Sequence, residues 1–275
     1  MKVEDFDLLA SMLKDRSGLV LGKDKAYLLE TRLMPVARKH GLKGLEELAD
    51  VVRRKRDENV MGDITEAMTT NETLFFRDQK PFDLFRDVLL PKLMEGRQDS
   101  KRIRIWCAAC SGGQEPYSLA MILKELGSKL MGWRIEILAT DISVEMLDKA
   151  KTGLYTQFEV QRGLPITILV KYFRQTGDKW QLDAGIRSMV QFREFNLLES
   201  PSALGTFDVV FCRNVLIYFD QETKKKVLDG VARQMPKDGA LLLGGAETVL
   251  GVTDSFKPVQ GRRGVYQLSN SDVEF

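Results

Sequence analysis

Six consecutive small residues, Ala108, Ala109, Cys110, Ser111, Gly112 and Gly113, stand where an apolar stretch hands over to a helical one. Small side chains at such a junction let a ligand lie against the backbone. In open α/β sheets, ligands bind at the carboxyl ends of strands. A tight turn with no ligand is the ordinary alternative. The loop carries neither GxGxxG nor GxxxxGKS/T. Glu115 follows it, with Pro116 suited to a first helical turn. A carboxylate there opposes a pyrophosphate, which uses the positive end of a helix, and suits a cation. A nucleoside bearing an ammonium group therefore fits better than NAD or ATP, although acids are also ordinary in a first turn.

Three further residues or pairs sit at the ends of apolar runs. Asp141, in LATDIS, can accept both hydroxyls of a ribose or cap the helix that follows. Asn196, in FREFNLLES, can pair with an adenine edge or serve a turn. Arg213 and Asn214 directly follow FDVVFC and either face a ligand or cap a turn. Cys107 and Cys110 form a CxxC with no second pair, and the one histidine, His40, is distant. The pair reads as small residues in a packed turn, with no metal expected. A single histidine also argues against Ser-His-Asp hydrolysis.

The elements that must hold these residues fall into two groups. The 275 residues have a formal net charge of +2, 44% hydrophobic and 29% charged residues. That excludes a disordered or fibrous chain and gives no global pull toward nucleic acid or an anionic membrane. No apolar run approaches the ~20 residues of a membrane span. Acids interrupt the first eighteen residues, so no secretory signal is expected. A reduced, soluble, cytoplasmic protein follows. Up to about residue 68 the periodicity is helical: Phe6, Leu9, Ala10 and Leu13 repeat at helix spacing, as do Val60, Ile64, Ala67 and Met68. A helix is also expected over Lys25–Lys39, kinked or split at Pro35. After Pro81, strands alternate with helices: Arg102–Ala108, Arg134–Thr140, Phe207–Cys212 and Ala240–Ala246, with helices after the first three. This indicates a parallel sheet covered on both faces, with a C-terminal hairpin at its edge. Between Gly153 and Asn196, a helix and two short strands with turns at Gly177-Asp178 and Ala184-Gly185 read as a small β insertion.

TTNETLFFRD (69–78), WCAACSGGQEPYSLA (106–120), ATDIS (139–143), FNLLE (195–199) and FDVVFCRNVLIYF (207–219) occur in this order. As a set they closely resemble the CheR-type chemotaxis receptor methyltransferases, over nearly the whole chain. The resemblance implies an all-α N-terminal domain, residues 1–68, that docks on a receptor. It also implies an α/β, Rossmann-like methyltransferase domain, residues 69–275, with a linker motif at 69–78 and a small antiparallel β subdomain inserted at about 153–195. The implied activity is methyl transfer from S-adenosylmethionine to glutamate side chains of chemoreceptors, giving methyl esters and S-adenosylhomocysteine, by a monomer that needs no metal. The implied cofactor contacts are Asn71, Thr73, Arg77, Glu115, Asp141, Asn196, Leu197, Arg213 and Asn214. Arg77 and Tyr218 match the residues near the transferred methyl. Without the resemblance, Arg77 would read as a salt bridge to Asp78 or Glu72, and Tyr218 as core.

Two positions depart from the family. The loop reads SGGQEP where S-T-G-E-E-P is usual, so Gly112 lacks a hydroxyl and Gln114 lacks a charge. The short Thr176–Lys179 turn argues against docking on a receptor's C-terminal pentapeptide. For the acidic helical receptor, a basic stripe is expected from Lys25, Arg32, Arg38, Lys39 and Arg53–Arg56, although residues 1–78 hold 14 basic against 15 acidic side chains. The competing readings are the same cofactor chemistry on another protein, and a non-catalytic module that senses S-adenosylmethionine.

Overall fold

The computed structural model describes residues 2–54, 57–273 and 275. It divides into two compact units. One runs to Thr70 and takes in Tyr218–Thr223; the other holds Asn71–Ile217 and Lys224–Phe275.

The first unit is helical: α1 (Val3–Ser17), α2 (Ala26–Lys39), α3 (Leu45–Arg54) and α4 (Glu58–Met68). The periodic apolar residues make its core, with Leu9, Leu13, Leu29, Leu33, Leu48 and Ile64 fully buried. Of the kink or split expected at Pro35, the split does not occur: helix α2 continues through it. Proline costs one backbone hydrogen bond there, while Leu29, Leu33, Val36 and Ala37 bury their faces on either side of it. Tyr218–Thr223 belongs to this unit through Val20 N–H, which donates to the Tyr218 carbonyl at 2.9 Å, and Lys14, 2.7 Å from Asp220.

Four of the eight residues of the expected basic stripe have partners inside the unit. Arg32 donates to the Met68 and Thr69 carbonyls at the end of α4, where a cation offsets the helix dipole. Lys39 pairs with Asp63, Arg53 with Asp5 and Asp50, and Arg54 with Asp50. Lys25 and Arg38 have no ion pair among the described residues, and Lys55 and Arg56 lie outside those residues.

The second unit opens with α5 (Lys80–Leu84), a π turn over Phe85–Leu89 and α6 (Leu90–Gly96). Strand β1 (Arg102–Ala108), α7 (Gln114–Leu126), β2 (Arg134–Asp141) and α8 (Val144–Thr152) follow. Next come β3 (Leu154–Thr156), α9 (Gln157–Gln161), α10 (Ile166–Tyr172), β4 (Phe173–Thr176) and β5 (Lys179–Leu182). The chain then forms α11 (Ala184–Arg187), β6 (Val190–Glu194), β7 (Val209–Cys212) and α12 (Gln221–Ala232, which begins within the helical unit). It ends with β8 (Ala240–Leu243), β9 (Phe256–Pro258) and β10 (Val265–Leu268).

The main sheet runs β6-β2-β1-β7-β8-β10-β9. The first five strands are parallel, and β10 is antiparallel to both β8 and β9. Strands β7 and β8 are buried at every position, which requires cover on both faces. The inserted sheet is β3-β5-β4, with a two-residue Gly177-Asp178 turn. Its extent differs from the sequence expectation. The turn expected at Ala184-Gly185 is the start of a short helix, capped by the Asp183 side chain. The strand after it, β6, pairs with β2 and belongs to the main sheet.

The insertion packs against the linker motif of its own unit. Phe75 meets Tyr155 and Phe173 edge-on, with ring centroids 5.0 and 5.6 Å apart. Gly163 sits at φ +82°, and a Cβ there would come within 2.1 Å of the Phe75 carbonyl oxygen. Gly163→Ala adds left-handed strain to a clash with backbone. It should cost about 2–3 kcal/mol in urea unfolding, where a permissive position would cost less than about 1 kcal/mol.

Candidate functional site

Strand β1 lies between β2 and β7, so the chain leaves it first toward β2 and β6 and later resumes on its other side with β7. This is a topological switch point, where the loops leaving neighbouring strands diverge and open a crevice. Ala108 is in register with Thr140 on one side and Cys212 on the other. The next residues, Ala109, Asp141 and Arg213, therefore leave the sheet at one level.

The small-residue loop after β1 is held by its own backbone and its neighbours. Ala109 and Ser111 adopt φ +57° and +49°, uncommon for residues other than glycine and concentrated at functional sites. Cys110 N–H donates to the Thr140 carbonyl at 2.9 Å. Ser111 N–H donates to Asp141 Oδ2 at 2.7 Å, and its hydroxyl to the Asn71 carbonyl at 2.9 Å. The Tyr155 hydroxyl donates to the Gly112 carbonyl at 2.7 Å. Gly113 needs its glycine twice over: φ is +86°, and a Cβ would lie 2.9 Å from that of Ala150. Asp141 is not the cap of α8. Ser143 fills that role, accepting from Met146 N–H, while Asp141 Oδ1 accepts from Ser143 N–H. Two backbone donors thus fix a buried carboxylate at the tip of β2.

The two departures from the family share one place. A Cβ on Gly112 would lie 2.9 Å from Gln114 Oε1, so the Gln114 side chain fills the space a larger residue 112 would need. Its amide faces Glu159 Oε1 at 3.4 Å, where a second carboxylate would be repelled.

Arg213 joins the β7 tip to the β1 loop and the linker motif. Its side chain is 2% exposed. Nη1 donates to Glu115 Oε2 at 2.9 Å; Nη2 donates to Asp78 Oδ2 at 2.6 Å and to the Arg77 carbonyl at 3.0 Å. The cation facing Glu115 is therefore this guanidinium. Glu115 Oε1 takes no hydrogen bond among the described residues, and its side chain is 11% exposed. Burial pushes the Glu115 carboxyl above its usual range, against the pull of Arg213. An acid with one oxygen open at the β1 tip and a second acid at the β2 tip suit a nucleoside that carries an ammonium group. The site residues thus fit an S-adenosyl cofactor.

The linker motif is strained where it meets this cluster: Phe76, Asp78 and Gln79 have φ of +51°, +68° and +43°. Arg77 makes neither salt bridge expected in the linker. It donates to the Glu72 carbonyl at 3.0 Å, while the Glu72 side chain faces Arg162 and Asp78 faces Arg213. No carboxylate among the described residues pairs with Arg77.

The structure thus brings Asn71, Glu115, Asp141 and Arg213 together, with Arg77 on the same motif. Asn214, at φ +60°, follows Arg213 directly. Thr73 is half-buried in the linker motif. Asn196 follows β6, where its Oδ1 accepts from Leu198 N–H at 3.0 Å, the turn role that was the alternative to adenine pairing. Leu197 lines a cavity of about 190 Å³ with Trp106 and Phe195. Tyr218 is half-buried and groups with the helical unit. Cys107 and Cys110 are buried, and burial lifts both thiols well above the usual range, so neither is a nucleophile at neutral pH.

Sequence reasoning missed Ser111 as the link between Asn71 and Asp141, Asp78 as a partner of Arg213, and Tyr155 under Gly112. Asp78 carried a signal, an acid adjoining the motif's arginine. Ser111 and Tyr155 carried none, since a hydroxyl's partner is set by packing.

Arg213→Leu should destabilise the protein by about 3–5 kcal/mol at pH 7, because it strands a buried carboxylate. Without its cation the Glu115 carboxyl rises further. The deficit is full above that raised pKa and shrinks as pH falls through it, since a protonated acid needs no counter-charge. Urea unfolding at several pH values checks this; a deficit independent of pH counts against the pair.

Known proteins match this chain over most of its length. The profile of the CheR methyltransferase SAM-binding domain matches residues 71–265, and that of the CheR methyltransferase all-alpha domain matches residues 4–69. Chemotaxis protein methyltransferase Cher2 of Pseudomonas putida is 40% identical over 267 residues, covering 95% of this chain and 96% of its own. Chemotaxis protein methyltransferase 1 of Pseudomonas aeruginosa is 41% identical over 265 residues, with 95% and 96% covered. The protein of that name in Vibrio cholerae is 41% identical over 256 residues, with 92% of each chain covered. Among the described residues, no helix is long and apolar enough to cross a membrane. The chain belongs to the CheR methyltransferase family, the S-adenosylmethionine-dependent methyltransferases of chemotaxis.

Proposed function

We propose that this protein methylates glutamate side chains of chemoreceptor cytoplasmic bundles, producing glutamate methyl esters for adaptation. The observation that carries the reading is Arg77: a guanidinium on a strained motif beside the Glu115–Arg213 cluster, with no carboxylate partner among the described residues. A planar guanidinium grips a carboxylate through two parallel hydrogen bonds.

Bound S-adenosylmethionine supplies an electrophilic methyl group that needs no metal and no covalent enzyme intermediate. Asp141 accepts the ribose hydroxyls at the β2 tip. Glu115 offers its open oxygen to the ammonium group. Asn71, Thr73, Asn196, Leu197, Arg213 and Asn214 complete the contacts. The substrate glutamate, with a pKa of ~4.3, is already ionised at neutral pH. No general base is needed, in keeping with a chain whose one histidine, His40, bonds Asp63 in the helical unit. Arg77 orients the attacking carboxylate, and the Tyr218 hydroxyl donates to it. Orientation can lower such a barrier by up to ~7–11 kcal/mol. Gripping too firmly would stabilise the ground state and slow attack, so these side chains aim the nucleophile more than they neutralise it. The protein works as a cytoplasmic monomer on this reading.

Incubation with radiolabelled S-adenosylmethionine and chemoreceptor-containing membranes should place base-labile label on the receptor, as a carboxyl ester requires. Stable label, or none, refutes the reading. Arg77→Ala should lower turnover by about 100-fold or more while S-adenosylhomocysteine affinity changes less than about tenfold. Asp141→Ala should do the reverse, with calorimetric affinity falling about tenfold or more through loss of charge-assisted hydrogen bonds.

A further inference from the structure

Glu247 lies just past β8, outside every motif named above, and is 8% exposed. Its Oε2 accepts from the N–H groups of Asn214 at 2.8 Å and Gly244 at 2.7 Å. Its Oε1 accepts from Val215 at 2.9 Å and Ile217 at 3.3 Å. A carboxylate offers about four acceptor positions, and here backbone donors fill them. Three of the four donors belong to the loop that leaves β7 with Arg213 and Asn214.

That loop is held from outside. Asn214 is left-handed, at φ +60°, a conformation uncommon outside glycine that asparagine tolerates better than most side chains. The Asn214 amide lies over Gly244: a Cβ on Gly244 would come within 2.7 Å of Asn214 Nδ2 and 2.8 Å of Glu247 Oε2. One carboxylate thus sets the backbone of residues 214–217, and the glycine beside it leaves room for the amide.

We propose that Glu247 is a positioning residue for cofactor binding: by gathering these four N–H groups it holds Asn214 where it meets the cofactor. The inference rests on the S-adenosylmethionine reading of the site. Glu247 itself touches no cofactor, because its oxygens are turned to the loop.

The test is a calorimetric titration of S-adenosylhomocysteine into wild type, Glu247→Gln, Asn214→Ala and the double variant. Glutamine replaces one oxygen with an amide nitrogen and so forfeits two of the four bonds. Glu247→Gln should lose tenfold or more in affinity. In the Asn214→Ala background the same change should cost less than threefold, since the residue being placed is gone. An undiminished cost there would mean a general loss of fold and would overturn the proposal, as would wild-type affinity in Glu247→Gln. If that variant does not fold, Glu247→Asp, which keeps both oxygens but withdraws them by a methylene, is read in the same way, and wild-type affinity overturns the proposal. Amide exchange in the cofactor-free wild type separates this idea from the reading beneath it. Slow exchange at Asn214, Val215 and Gly244 supports the placement even if S-adenosylhomocysteine fails to bind, whereas fast exchange at all three overturns it.

Discussion

A guanidinium with almost no access to water must be matched by anions, and Arg213 meets that demand by drawing three separate pieces of chain to one point. Glu115 comes from the first turn of α7, Asp78 and the Arg77 carbonyl from the linker motif, and Arg213 itself from the tip of β7. Removing a charge from water costs several kcal/mol, so the arrangement persists only while its partners stay in place. Glu115 meets Arg213 through one oxygen, and its other oxygen takes no hydrogen bond among the described residues. The cluster therefore fixes the geometry of the strand tips around it.

Around the cluster, each strand tip is held by a backbone-directed side chain. Asp141 takes N–H groups from Ser111 and Ser143, Tyr155 braces the Gly112 carbonyl, and Glu247 collects the loop after β7. Left-handed residues stand among these contacts, Ser111 in the β1 loop, Asp78 on Arg213 and Asn214 in the β7 loop. Strain of this kind survives only where surrounding bonds over-determine the backbone. The insertion contributes to the bracing through Tyr155 and Phe173 of its sheet and through Gly163, all on Phe75, so it has a structural purpose.

Much of this was readable along the chain. Ile103, Ile105 and Cys107 marked β1, and Asp141 and Arg213 stood at strand ends because apolar runs stop there. The readings that changed did so for physical reasons. Pro35 was expected to kink or split its helix, yet α2 is not split, since one missing hydrogen bond was outweighed by apolar burial along it. Val190–Glu194 looked like part of the insertion, yet it pairs with β2, because period-two alternation does not name a strand's partner. The basic residues before Thr70 gave no hint of their partners within the unit: Arg32, Lys39 and Arg53 meet groups distant in sequence.

What the sequence determined by itself was which segments are strands or helices, where small residues leave a backbone exposed, and which motifs mark the family. These are local properties, governed by periodicity, side-chain size and residue order. What only the tertiary structure decided was pairing: that Glu115 faces Arg213 and not a helix end alone, that Arg77 donates to the Glu72 carbonyl and pairs with no carboxylate among the described residues, and that Glu247 gathers the β7 loop. Those choices depend on the switch point beside β1, which brings residues up to 136 positions apart within a hydrogen bond. No local rule can state them, because burial sets the cost of leaving a charge unmatched, and burial exists only once the sheet has formed.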